Sequence, residues 1–230
     1  MSLAHSPSIV RTGLVFAVDA KNVKSYPGTG TIWSEMTKGY NVTLNASSTF
    51  DGKAHQFRNS SNMFASAIFD EGVLRSSNQT GQWTIEIWFK HVAATSVSEC
   101  ILAGRSGCHG GIYLNADNIL YHAIKTTNGN CWIGANSTAV ASLSTGQYYH
   151  SVFTYNNGAC SHYQNGALVA QSTFDNVANT MTGYGTEFLI GGVSGRMTNS
   201  DISIVNCYNI ALSSMDVAQN FAAHRGRFGL

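Results

Sequence analysis

The sequence predicts an all-β fold, a two-sheet antiparallel jelly-roll sandwich with one short helix at its C-terminus. Three observations carry this. Residues 82–90, QWTIEIWFK, alternate strictly, with Trp83, Ile85, Ile87 and Phe89 on one face and Thr84, Glu86, Trp88 and Lys90 on the other, the period-two signature of a strand. Asn157-Gly158 and Asn165-Gly166 separate three short aromatic or β-branched runs, and Asn-Gly suits the positive φ angles of a tight hairpin turn. Similar short runs recur every dozen or so residues with Gly and Asn breaks, the spacing of a sandwich or barrel rather than of alternating strands and helices.

In chain order, Gly13 to Asp19 reads as a strand covered on both faces. Lys21 to Gly30 is a loop punctuated by Pro27-Gly28. Asp51-Gly52-Lys53 and the polar stretch 58–63 suggest turns and short strands. Further strands are expected at 100–104, 111–115, 119–124 and 131–134, in the meander 148–155, 159–164 and 167–170, and at 188–192 and 201–210. An isolated hairpin is marginal in water, so the meander requires a larger sheet to lie in. Ser213-Ser214-Met215-Asp216 sets a hydroxyl three residues before an acid, a capping-box start. Leu212, Met215, Ala218 and Phe221 then follow at helical spacing, which predicts a helix over 214–224. With no Pro-rich, Ser-rich or charged linker, the 230 residues read as one domain, with an N-terminal arm at 1–10 and a helical tail at 213–230.

Charged residues make up 11% and the net charge is +1. No field of either sign exists to gather phosphate or anionic lipid, which argues against nucleic-acid binding and membrane-surface roles. The first residues form no signal peptide, and no apolar stretch is long enough for membrane insertion. The five cysteines, Cys100, Cys108, Cys131, Cys160 and Cys207, are odd in number and irregularly spaced. In a chain made in a reducing cytoplasm they read as free thiols, and Cys108-His109 and the eight histidines show no metal-ligand spacing.

Two long segments and the meander resemble one family. The opening from Gly13 to Trp33, GLVFAVDAKNVKSYPGTGTIW, and the ending from Ala211, ALSSMDVAQNFAAHRGRFGL, resemble the two ends of laminin-G-type modules of tailed-bacteriophage virion proteins. The meander, with Tyr148-Tyr149-His150, Thr154-Tyr155 and Tyr163-Gln164-Asn165-Gly166, resembles that of concanavalin A-like lectin and glucanase domains.

The resemblance implies a lectin-like sandwich and raises three functions. The first is a non-enzymatic virion component, decorating a capsid or forming part of a fibre, knob or appendage. Its partners would be other virion proteins and further copies of itself, and its location the virion. The second is attachment to host cell-surface polysaccharide. Aromatic platforms with amide and carboxylate neighbours would serve that role, and the candidates are Trp33, Trp88, Trp132, Tyr121 and Tyr184, with Glu86 and Asn115. As large aromatics, these residues also suit a sandwich core.

The third is glycoside hydrolysis, which needs two facing carboxylates about 5–5.5 Å apart for retention of configuration. Related glucanases place several acids on one strand. Here only Glu86 stands there, leaving Glu35, Asp70, Asp175 or Glu187 to supply a partner from elsewhere, so no catalytic residue is assigned. His150 reads as a core histidine bonded to backbone. Calcium is the one ion the resemblance raises, but Asp19, Asp70, Asp117, Asp175 and Asp201 are scattered, and neither a metal nor another cofactor is expected.

Overall fold

A computed structural model describes residues 7–45, 48–58, 65–68, 81–93, 97–104, 111–126, 129–133, 142–173, 187–193 and 195–230. In chain order the strands are β1 (Leu14–Asp19), β2 (Ile32–Ser34), β3 (Asn41–Leu44), β4 (Thr49–Phe50), β5 (His55–Phe57), β6 (Ala65–Ile68), β7 (Gln82–His91), β8 (Glu99–Gly104) and β9 (Gly111–Leu114). They continue as β10 (Leu120–Thr126), β11 (Gly129–Ile133), β12 (Tyr148–Asn156), β13 (Ala159–Gln164), β14 (Ala167–Thr173), β15 (Glu187–Ile190), β16 (Gly192–Val193), β17 (Arg196–Met197) and β18 (Ser200–Tyr208), before helix α1 (Ser214–Phe228).

Two antiparallel sheets make the sandwich. The first runs β14-β13-β12-β7-β18-β5-β4, and the second β11-β10-β9-β8-β15-β6-β3-β2. β7 lies at the centre of the first, with β12 along one edge and β18 along the other. The far edge of β18 is shared end to end, β5 pairing with Ser200 to Ile202 and β1 with Ile204 to Tyr208. β16 and β17 form a small separate hairpin.

The alternation in β7 decides which side is core. Trp83, Ile85, Ile87 and Phe89 point between the sheets and are at most 2% exposed, packed with Phe153 and Tyr155 of β12 and Val205 and Cys207 of β18. Burying each such side chain is worth about 1.5–3 kcal/mol, so a slip of one residue, which would turn the whole row outward, is strongly disfavoured. The turns follow from the Asn-Gly pairs, with φ of 47° and 96° at Asn157-Gly158 and 51° and 80° at Asn165-Gly166, the type I′ pattern. Short strands β2 to β6, only hinted at in the sequence, complete the sheets. With two to four residues apiece they are too brief to show a period.

The helix starts as the sequence indicates. Ser213 Oγ accepts from the Asp216 backbone N–H at 3.2 Å, and Asp216 accepts from the Ser213 N–H at 2.9 Å. Its end and its buried face differ from expectation. It passes through Gly226 and stops at Gly229, whose left-handed conformation (φ 77°) forms the C-cap, so it runs to Phe228 rather than His224. Met215 is 80% exposed, while Val217, Asn220 and Phe228 are buried. The packing stripe therefore lies on other positions than Met215 and Ala218, and a polar residue, Asn220, sits in the middle of it and disguises it.

Candidate functional site

The outer face of β7 carries the acid and the aromatic that an exposed sugar site would use. Helix α1 lies over it. Trp88 is wholly buried, its ring stacked with those of Phe228 (ring centroids 4.6 Å) and Phe221 (5.8 Å) of the helix, with His150 at 4.5 Å. Alongside, Val152, Tyr163, Tyr208, Leu212 and Val217 form a second apolar cluster. The Thr84 hydroxyl donates to Ile210 O at 2.8 Å and accepts from Leu212 N at 2.9 Å, fixing the chain as it climbs into the helix.

Glu86 sits beneath this cover with no exposure. One oxygen, Oε2, accepts from Asn220 Nδ2 at 2.8 Å and from Asn206 Nδ2 and Tyr208 OH at 3.3 Å each. The other, Oε1, pairs with His150 Nε2 at 3.0 Å and accepts from Trp88 Nε1 at 3.4 Å. Burial by itself pushes the carboxyl pKa up, but the hydrogen bond and charge of His150, with Asn206 and His224, outweigh it and leave the group below the ordinary carboxylate range. His224 is shifted down, chiefly by burial and against the pull of Glu86. A buried carboxylate is tolerable only when donors satisfy it, and here five groups do. His150 is thus a core histidine whose ring partner is a carboxylate rather than backbone.

The other buried and half-buried acids among the described residues are also occupied. Glu35 accepts from four backbone N–H groups, those of Ala17, Thr37, Lys38 and Gly39, at 2.6–3.1 Å. Glu99 holds the Thr198 hydroxyl and the Asn199 N–H. Asp19 receives the Arg227 guanidinium in two hydrogen bonds of 2.8 and 2.9 Å. Asp201 is flanked by Arg58 and Lys90 at 2.7 Å each. Among the described residues no group of three or more His, Cys, Asp or Glu is disposed to hold a metal, and Asp19 and Asp201, considered for calcium, face cations instead. Cys100, Cys160 and Cys207 are buried.

Among the described residues, the expected sugar platform is not assembled. Trp33 is wholly buried in the inter-sheet core against His55, ring centroids 4.5 Å apart. Tyr121 is 5% exposed, stacked on Tyr113 in a cluster that includes Val193 of the β16–β17 hairpin. Asn115 spends its side-chain oxygen on the Asp117 and Ile119 N–H groups of its own loop. With Glu86 and Trp88, these residues correct the expectation, since apolar burial claims the large rings and the acid is the polar anchor of the covering helix. Trp132 lies on β11 with its side chain outside the described residues. Tyr184, Asp70, Asp175, Cys108 and most of the stretch 58–63 also lie outside them, as do the side chains of Glu187 and Cys131.

An open cleft of about 460 Å³ does exist beside β1. Its walls are Ile9, Leu14, Ala17 and Met36, and its polar groups Arg11, Asn22 and Thr37. Arg11 is exposed, with no ion-pair partner among the described residues, and no carboxylate lines the cleft. The neighbouring Glu35 is consumed by its backbone donors. The cleft therefore presents one positive charge beside an apolar wall. Nothing in the period-two pattern points to it, because the arm and the loops that form most of it have no period.

A family model described as the concanavalin A-like lectin/glucanases superfamily matches residues 66–218. No curated protein matches the chain. Among solved structures, it is similar to a Trypanosoma rangeli sialidase in complex with 2,3-difluorosialic acid, with a TM-score of 0.69 and 16% identity over 95% of this chain and 34% of that one. It is also similar to the receptor binding domain of botulinum neurotoxin type G, with a TM-score of 0.67 and 11% identity over 91% of this chain and 51% of that one. The chain thus spans about a third of the sialidase and half of the toxin domain, and at these identities the likeness is one of fold.

Proposed function

This chain belongs to the concanavalin A-like lectin/glucanases superfamily, and we propose that it serves there as a non-enzymatic structural component of a tailed-bacteriophage virion. The opening and closing motifs support the phage setting. The observation that carries the non-enzymatic part is Glu86: the one acid on the strand where related glucanases hold several is sealed under α1 and engaged by five groups. An assembly role is supported by Val23, Ile32 and Met36, apolar side chains 77%, 39% and 41% exposed within the segment 22–36 that also walls the cleft. Neighbouring virion proteins or further copies of the chain would cover them. Light scattering after size exclusion and a cryo-EM map of the particle test this reading. A strict monomer absent from virions overturns it.

The Arg11 cleft favours one second reading, attachment to a host surface polysaccharide bearing acidic groups. The guanidinium would receive a carboxylate, and the Met36 and Leu14 wall would receive the apolar face of a sugar. A glycan array run with the wild type and with Arg11→Ala separates the readings. Selective binding of acidic glycans that is lost in the variant supports attachment, and absence of selective binding rejects it. Hydrolysis is the least supported reading, and product release from a glucan abolished by Glu86→Gln would be needed to establish it.

A further inference from the structure

His122 and His162 lie in the layer between the two sheets, His122 on β10 of the second sheet and His162 on β13 of the first. Both side chains are wholly buried, and neither nitrogen of either ring has a hydrogen-bond partner among the described residues. The two rings pack against the same side chain, Phe153, whose ring lies 4.1 Å from His162 in a stacked arrangement and 5.3 Å from His122. Trp83 and His122 meet in a T-shaped pair, ring centroids 5.0 Å apart. Four buried ring nitrogens without partners are costly even in neutral rings. Adding a proton to either ring would place an uncompensated charge there.

Among the described residues, the surroundings offer nothing to compensate it. β7 contributes Trp83 and Ile85, β12 Phe153 and Tyr155, β9 Ile112 and Leu114, β10 Leu120, and β13 Cys160, all members of the apolar core. The titratable groups among these are Tyr155 and Cys160, and no described carboxylate or cation faces the pair. The other charge-bearing neighbour of His122 is His162 itself, which repels. We infer that His122 and His162 form an acid-sensitive seam, so that protonation parts β10 from β13 at this end of the sandwich before the β7–β18 centre opens.

The direction follows from linkage. Burial pushes both imidazoles down to about 3, His122 with a further push from His162, against an ordinary value of 6.5. Between those limits the unfolded chain binds more protons than the folded one, so stability is full above the ordinary value and is lost as pH falls. Each ring costs about tenfold in the folding equilibrium constant per pH unit, and the two together about a hundredfold. His55, held near 4 by burial against the opposing charge of Asp51, and His224 act in the same direction. The seam is therefore read as a difference between proteins.

The test is the denaturant midpoint of the full chain from about pH 8 to about pH 5, for the wild type and for His122→Leu with His162→Leu. The wild type should lose up to about a hundredfold more in folding constant per pH unit than the double variant, and equal slopes overturn the inference. Hydrogen exchange on the wild type alone gives a reading that needs no variant to fold. On acidification, amides of β10 and β13 should lose protection ahead of those of β7 and β18. Uniform loss across the sandwich, or His122 and His162 ring resonances of the folded protein titrating near the ordinary histidine value, overturns it.

Discussion

Asn220 donates from Nδ2 to Glu86 Oε2 at 2.8 Å across 134 residues of sequence, and its own side-chain oxygen accepts from the Val10 N–H at 2.8 Å. One amide thus ties the centre of the first sheet, the C-terminal helix and the N-terminal arm together. Gln219, one residue earlier, adds a second tie to the arm by donating to Ser8 O at 2.7 Å. Removing the amide leaves a buried carboxylate oxygen short of its best donor and frees the arm. Asn220→Ala should destabilise the protein by about 2–3 kcal/mol, measured by chemical denaturation, with early proteolysis at the arm and helix.

Removing the acid should cost more. Glu86→Ala strands the donors of Asn220, Asn206, Tyr208 and His150 in a sealed layer, and the loss expected is about 3–5 kcal/mol. Glu86→Gln keeps the shape and part of the bonding, so it should fall between wild type and alanine. If both variants are as stable as wild type, the network does not hold the helix.

The acid behaviour of Glu86 has a definite sign. Its folded pKa lies below the ordinary carboxylate value of 4.5, so the unfolded chain takes up the proton first. Its contribution to stability is present above that value and is lost as pH falls through the folded one. Glu86→Gln should therefore flatten the stability curve below the ordinary carboxylate range and leave its slope above that range unchanged. Midpoints measured for both proteins across that range check this.

Gly166 joins the local turn to the tertiary packing. Its φ of 80° suits the second position of the type I′ turn, and a Cβ there would run into the ring of Phe221 on α1. Gly166→Ala combines strain at positive φ with a clash, and a loss of about 2 kcal/mol or more is expected. Ser213→Ala removes only the helix cap, at about 1 kcal/mol. A Gly166→Ala variant no less stable than Ser213→Ala would contradict the packing of the turn on the helix.

The strands at 14–19, 82–91, 148–156, 159–164 and 200–208 were legible because their signals are local: alternation repeats every two residues, and an Asn-Gly pair states its turn by itself. The capping box was legible for the same reason. The extent of α1 was not, because Gly226 looks like a stop until Gly229 is seen taking the left-handed cap. The buried face of the helix was hidden because Asn220, its central residue, is polar and makes sense only opposite Glu86.

By itself, then, the sequence determined that this chain is a two-layer β protein with a capped C-terminal helix, since period and turn chemistry are written in neighbouring residues. Tertiary structure alone decided what the outer row of β7 is for. Glu86 and Trp88 would read the same on an open groove and under a helix. The difference lies in groups more than a hundred residues away, Asn206, Tyr208, Asn220 and Phe228, that satisfy the carboxylate and bury the ring.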